Sequence, residues 1–514
     1  MIAAATTGVL EIAADEADRR AFAIILAFLL ARLALAFLIG PGVDESYTEA
    51  ISRTLSLSYF DHPPLHQWMA HFAALAFGEG APARLPFIAL FAATGCIYYR
   101  LTRDLFGPGA ATVALFALNA TPFFFGPAGG WVLPDGPLLF GLALAAWAAA
   151  RLFFGSPADR GSVWRLWLIV GLGFGLAGLS KYSAVLSAAG FVAFLALSPR
   201  QRRWLRDPAL YAGAALALAM TAPVIAWNAE HGWASFAFQA SRGAPTGGLK
   251  PLQLAGMAFG EIAYLAPWIF VPLTAGLIAA WRRRSDDRRL FLICLALPPI
   301  VPFTLAPVWG ARGYPHWTMP GWFFAFALLG AWVEERGLFA RTLRLWGWLC
   351  SALLASVAAV AVVQTATGFP LRLLQLRPGI ADPTLEAFDW RALRDAPALH
   401  PPPAFIVSTK WADAGKIALA LGPDIPILVA SRDPRGWAFV KGRDGLQGRN
   451  GLLVTRASDL ALAAEAERFG FRLVGEPQFY ALDRNGRSEV SLAIVPAMSL
   501  TGNAPLPYPT ALGR

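Results

Sequence analysis

Residues 21–47 read AFAIILAFLLARLALAFLIG-PGVDESY, and this stretch decides the fold class. From Ala21 to Gly40 it is apolar apart from Arg32. A helix needs about 20 apolar residues to cross the hydrocarbon core, so the run suffices for one span. It exceeds the roughly 7–15 apolar residues of a cleavable signal core and therefore reads as an uncleaved anchor. Arg19 and Arg20 precede it, which puts the N-terminus in the cytoplasm. Immediately after it come two adjacent carboxylates, Asp44 and Glu45.

The same apolar pattern recurs along the chain. Further runs lie near 84–100, 109–125, 136–154, 164–180, 183–198, 208–227, 256–281, 289–308, 317–333 and 345–366, predicting a polytopic α-helical membrane protein of about eleven spans. Composition agrees: of 514 residues 56% are hydrophobic and only 15% charged, where a soluble domain carries about 25% charged residues. The net charge of +10 would suggest nucleic acid on a soluble protein. Here the basic residues form clusters between apolar runs, at 100–103, 151–165, 200–206, 282–289 and 336–344. Every even-numbered span ends in such a cluster, so these loops are cytoplasmic and nucleic acid is excluded as a partner. Loops 41–83, 126–135, 181–182, 228–255 and 309–316 then lie outside, as does everything after residue 368. Cys96, Cys294 and Cys350 lie in or beside apolar runs without a CxxC pair, which argues against a disulfide framework or cysteine zinc site.

The chain thus divides into a membrane domain, 1–368, and a C-terminal α/β soluble domain, 369–514. In the tail, 404–408, 425–430, 451–455, 471–482 and 490–495 read as strands, and 411–421 and 459–469 as helices. No glycine-rich phosphate loop follows any of these strands.

The polar chemistry collects on the external side. Adjacent carboxylates beside a membrane are expensive to desolvate. Asp44 can serve as a general base, hold a divalent cation, or cap the helix that follows. In the same loop comes Tyr59-Phe60-Asp61-His62-Pro63-Pro64-Leu65, whose prolines fix an extended backbone behind Asp61 and His62. Lys181 sits in an external turn, facing a lipid phosphate or snorkelling to headgroups. Asp135 reads as an N-cap. Arg242 and the segment Arg312-Gly313-Tyr314-Pro315-His316-Trp317 complete the set, arginine being suited to gripping phosphate oxygens with its fork. Arg32 reads as paired structurally inside the bundle.

These residues in this order have a family likeness. An Asp-Glu pair after the first span, aromatic-acid-His-Pro-Pro-Leu, Gly178-Leu179-Ser180-Lys181-Tyr182 and a late Tyr314-Pro315-His316-Trp317 resemble the large membrane glycosyltransferases of the C-type fold. The nearest groups are the glycosyltransferase 39 family of protein mannosyltransferases and the lipid A aminoarabinose and galacturonic acid transferases. The likeness covers roughly residues 20–330. It implies that loop 41–83 forms amphipathic helices along the membrane. It further implies a sugar donor on polyprenyl phosphate, a glycolipid or protein acceptor, and a periplasmic site on a bacterial inner membrane. By the same likeness Asp44, with Glu45 beside it, is the catalytic base. The likeness also puts His62 and Arg242 at the donor phosphate and Tyr314 and His316 beside it as substrate-binding residues. From the external polar set Lys181 is added as a cation for the phosphate, and Asp135 and Arg312 as substrate-binding residues. Asp61 matches an acid that ligates a metal in some relatives, so a divalent cation is an expected cofactor. One departure bears on it: those relatives place a His three residues before the Arg, and here the position is Gln239, a poor zinc ligand. The competing expectation is a lipid or sugar-lipid transporter, which would carry inverted repeats and broken helices at the midplane.

Overall fold

The computed structural model describes residues 2–244, 247–338, 340–369, 371, 382–440 and 445–500, with side chains from residue 16 onward. The protein is mostly helical and is a multi-pass membrane protein. Among the described residues seven helices are long and apolar enough to cross a bilayer: Glu16–Leu38, Ala81–Phe106, Asp135–Phe154, Arg160–Ser180, Pro208–Glu230, Asp287–Trp309 and Ala340–Thr367. The last of these is largely exposed along its apolar length (Leu345 70%, Trp348 75%), a surface that suits lipid rather than water.

The expected count of eleven is not reached, and the reason is local. Two apolar runs are broken. Pro108–Asn119 meets Pro122–Gly130 at 82°, and Pro251–Leu265 meets Pro267–Arg282 at 103°. Each break carries a proline at the start of its second helix, where the missing N–H ends the hydrogen-bond ladder. If each bent pair is one span the count rises to nine. The remaining two runs form shorter helices, Ala184–Leu197 and Met319–Glu335. Hydropathy reports apolar length, and a bend does not alter it.

The chain forms two compact units, each discontinuous in sequence. The first comprises residues 1–33, 87–225 and 240–356. Its centre is Met319–Glu335, apolar all round and buried almost throughout, as expected of a helix enclosed by others. Helices Asp135–Phe154 and Arg160–Ser180 pack closely as an antiparallel pair. A Cβ on Gly141 would come within 2.5 Å of the Gly173 carbonyl oxygen, and one on Gly173 within 2.6 Å of Ala145 N. Small residues are what allow membrane helices this approach. Arg32 is buried. It donates to the carbonyls of Phe124 (3.1 Å) and Phe125 (3.0 Å) and to Asn119 Oδ1 (2.9 Å). These groups flank the first break, so the guanidinium satisfies polar atoms that the bend leaves without helical partners. Its structural pairing is therefore as expected, with oxygens of the bend rather than with an acid.

The second unit comprises 34–86, 226–239 and 357–514. It holds six strands: β1 Ile406–Ser408, β2 Ile427–Val429, β3 Asn450–Arg456, β4 Phe471–Leu473, β5 Gln478–Arg484 and β6 Arg487–Ser499. Their order is β2-β1-β3-β6-β4, with β5 also on β6. β1 pairs in parallel with β2 and β3, and β6 runs antiparallel to its neighbours. Helix Trp411–Leu421 makes the crossover from β1 to β2 that parallel strands require. The helix expected over 459–469 is instead three short turns, Ala457–Asp459, Leu460–Ala463 and Ala466–Phe469.

Loop 41–83 folds into helices Val43–Ser52 and Leu65–Phe77. The second exposes Phe72, Leu75 and Phe77, an apolar surface that fits a helix lying in the membrane interface. The first packs on Trp411–Leu421 so closely that a Cβ on Gly415 would sit 2.7 Å from Tyr47 N.

Candidate active site

Helix Val43–Ser52 begins at Gly42, whose N–H donates to Glu45 Oε2 at 2.9 Å. The cap thus belongs to Glu45, and Asp44 is not the N-cap. Glu45 is buried, and the Arg84 fork holds both its oxygens, at 2.8 and 2.5 Å. The expected catalytic role of Glu45 beside Asp44 thus meets a guanidinium clamp, and a carboxylate so held is a poor proton acceptor.

Asp44 is exposed in the first turn of the helix, where the helix dipole favours a negative charge. Water reaches it, yet protein crowds it. Burial pushes its pKa up to about 6; Asp61, Glu386 and Glu45 push the same way, and Arg435 opposes them. A carboxylate in such a recess is ionised at neutral pH and still basic enough to take a proton.

Tyr47 lies three residues on, on the same helical face as Asp44. Its hydroxyl donates to Asp61 Oδ1 at 2.8 Å and accepts from Gly436 N at 2.8 Å. The other Asp61 oxygen faces Arg435 Nη1 at 3.9 Å. Gln239 Nε2 donates to the Asp61 carbonyl at 2.7 Å, fixing the backbone at this position. His62 lies edge-on to the fully buried His66, ring centres 5.4 Å apart. Tyr47 and Arg435 had no assigned catalytic role from sequence. The spacing from Asp44 to Tyr47 was a readable signal, whereas the approach of Arg435 was not.

In the first unit, Asp135 opens helix Asp135–Phe154 and Lys181 follows the end of Arg160–Ser180. The antiparallel packing of these helices brings the two together, Lys181 Nζ to Asp135 Oδ1 at 2.9 Å with both side chains buried. Two expectations are corrected here. Lys181 does not snorkel, and Asp135 does not cap its helix, whose N-cap is Pro134 without a side-chain bond. Burial holds the His316 pKa down near 3; Lys181 and Arg242 add to this and Asp135 opposes it. The imidazole is therefore neutral at physiological pH and can donate or accept one hydrogen bond without carrying charge. Arg242 lies over Trp317 (4.8 Å) and Tyr314 (5.8 Å). Asp135, Lys181, Arg242, Tyr314 and His316 thus form one group. Arg312 joins it through its backbone N–H, which donates to the Arg242 carbonyl at 3.2 Å, while its side chain is exposed.

Comparison with known proteins bears on the family and the fold. Residues 61–227 match the family model described as dolichyl-phosphate-mannose-protein mannosyltransferase. The chain is 27% identical over 311 residues to the lipid A galacturonosyltransferase RgtD of Rhizobium johnstonii, covering 57% of this chain and 60% of that protein. It shares its fold with crystal structures of ArnT from Cupriavidus metallidurans. The apo form superposes with a TM-score of 0.61 at 17% identity, covering 94% of this chain and 99% of ArnT. The form bound to undecaprenyl phosphate gives 0.59 at 17% identity, covering 94% and 98%. The resemblance read from the sequence holds. By fold the chain is similar to the C-type membrane glycosyltransferases.

The residues at Asp61 do not fit a divalent cation. Its two oxygens are met by a hydroxyl donor and a guanidinium, whereas a hard cation asks for about six oxygen ligands. Among the described residues no three His, Cys, Asp or Glu side chains are grouped to hold a metal. Incubation with excess EDTA followed by desalting should leave the transfer rate of the purified protein within about twofold of untreated enzyme, and a metal-restorable loss would contradict this reading.

Proposed function

We propose that this chain is a membrane glycosyltransferase. It moves a sugar from a polyprenyl-phosphate carrier to an acceptor on the periplasmic face of a bacterial inner membrane. The observation that carries the reading is Asp44: a solvent-reachable carboxylate with a pKa raised to about 6, one helical turn from the Tyr47–Asp61 pair. Residues 1–368 form the transferase part, with about eleven membrane crossings counting bent and short helices, and 369–514 a periplasmic α/β domain. Its relative RgtD makes lipid A the first acceptor to test and galacturonic acid the first sugar.

The chemistry is a single displacement with inversion. Asp44 takes the proton of the acceptor hydroxyl as the new glycosidic C–O bond forms. The bond from the anomeric carbon to the carrier phosphate breaks, and the phosphate leaves with the electron pair. A phosphate ester needs no strong acid to depart, so a base and cationic stabilisation of the developing charge suffice. Arg242 and Lys181 are assigned to the phosphate, with His62. Lys181 is held in orientation by Asp135, and neutral His316 contributes a hydrogen bond rather than charge. The transporter alternative draws no support from the similar proteins.

The test is direct. The purified chain in proteoliposomes receives undecaprenyl-phosphate-linked galacturonic acid and lipid A, and the products are read by mass spectrometry. Lipid A heavier by one hexuronic acid residue is expected. Failure with this donor and with hexose, pentose and aminopentose donors, alongside movement of unmodified lipid between leaflets, would reverse the assignment.

A further inference from the structure

The tail supplies the candidate carboxylates with a cation. In Asp433-Pro434-Arg435-Gly436 the Arg435 backbone has φ 52°, a left-handed conformation that residues other than glycine rarely adopt. Several contacts hold it there. Gly436 N donates to the Tyr47 hydroxyl. A Cβ at 436 would lie 2.5 Å from that oxygen, so the close approach needs glycine. The guanidinium lies over the rings of Trp411 (4.7 Å) and Phe238 (5.0 Å), and its Nε donates to Asp433 at 3.1 Å. So placed, Nη1 stands 3.9 Å from Asp61, whose other oxygen is tied by Tyr47 to the face that bears Asp44.

We propose that Arg435 is a positioning residue for the transfer reaction, the fixed counter-ion of the Asp44–Asp61 carboxylate pair. This rests on the transferase reading above. Arg435 makes and breaks no bond. It orients Asp61, and through its charge it keeps Asp44 ready to accept a proton. The charges acting on Asp44 fit this role, since Asp61, Glu386 and Glu45 disfavour its ionised form and Arg435 favours it. Arg435 itself is faced by Asp61, Asp433 and Tyr47. A side chain held in a strained backbone by aromatic and polar contacts is what preorganisation of a site requires.

Arg435→Met and Arg435→Lys, made in the full-length protein and reconstituted in proteoliposomes, test the proposal with two readouts. The first needs no substrate: the pH dependence of carbodiimide modification at Asp44, quantified by peptide mass spectrometry. The wild-type midpoint is expected near pH 6. In Arg435→Met it should lie about one pH unit higher, as loss of a nearby opposite charge demands, and Arg435→Lys should restore most of the difference. The second readout is transfer from undecaprenyl-phosphate-linked galacturonic acid to lipid A. Its acidic limb should move with the midpoint, so that activity lost at pH 6.5 is largely regained at pH 8.5. A uniform loss at every pH with an unmoved Asp44 midpoint would overturn the proposal by reducing Arg435 to a packing role. Should the Met variant not fold, Arg435→Gln is read the same way. If the midpoint follows Arg435 while wild type transfers no sugar, the ion pairing stands and the transferase reading falls.

Discussion

Replacing Asp44 with Asn is expected to lower sugar transfer by about 10²–10⁴-fold, the usual worth of a positioned general base. The amide keeps the size and shape of the carboxyl and removes only its capacity to take a proton. Affinity for the polyprenyl-phosphate donor should change little, so the loss falls on turnover. In the wild type the same group sets the acidic limb of the pH profile. Its pKa stands near 6, above the ordinary carboxylate value, chiefly through burial. Turnover should therefore rise with pH through about 6 and level off above it, and the residual activity of Asp44→Asn should lack that limb. The sign for stability is opposite. Between the ordinary value of 3.8 and about 6 the folded protein binds more protons at this site than the unfolded chain, so stability falls as pH rises across that window. Above pH 6 the variant should accordingly be no less stable than wild type. A loss of activity that tracked a loss of folded protein, or turnover within a few-fold of wild type, would remove Asp44 from the role of base.

This expectation separates Asp44 from its neighbour, which the sequence alone could not do. Adjacent residues in a helix do not share a face. Once 43–52 is helical, Asp44 and Glu45 must point different ways, and only the fold tells which way is solvent. The Arg84 that claims Glu45 lies 39 residues away, and the Lys181 that claims Asp135 lies 46 away. Neither pairing has a local pattern. Local patterns were otherwise informative. The apolar runs coincide with helices throughout. The segment Trp411–Leu421 is a helix with the bounds its periodicity indicated. Strands β1, β2, β3 and β6 fall on the stretches read as strands, whereas 471–482 is divided between β4 and β5. What escaped were features decided by single residues against a favourable background: prolines that bend two apolar runs, and the helix over 459–469 that breaks into turns. The same holds for the site. Asp44 and Asp61 were legible as acids where acids are costly. The pairing of Arg435 with Asp61 was not, because it depends on a strained loop that closes on Tyr47 from a segment almost four hundred residues away.

Substituting Arg84 with Ala should be the most destabilising single change in this part of the chain, by about 3–5 kcal/mol, because it strands a buried carboxylate. All five N–H donors of Arg84 are in use. Nε and one Nη2 bond go to Glu45 at 2.8 and 2.5 Å. The others go to the carbonyls of Ala36 (2.8 Å), Ile39 (2.7 Å) and Gly40 (3.0 Å). Those carbonyls end the first membrane helix, where backbone acceptors have no helical partner and a cation is favoured. Glu45 in turn caps the start of the helix that carries Asp44. One guanidinium therefore ties the end of a membrane helix to the beginning of the helix bearing the candidate base. Lysine cannot replace it, since an ammonium has three donors and no planar fork. Arg84→Ala should unfold at lower denaturant in detergent micelles. Glu45→Gln, which leaves the cap acceptor in place and removes the charge, should recover part of the loss when combined with it, a coupling of about 1 kcal/mol or more in a double-mutant cycle. Glu45→Gln alone should lose stability yet keep turnover within about tenfold when the folded fraction is assayed. A Glu45→Gln protein as stable as wild type and as inactive as Asp44→Asn would return Glu45 to the catalytic step and undo the division of labour between the two carboxylates.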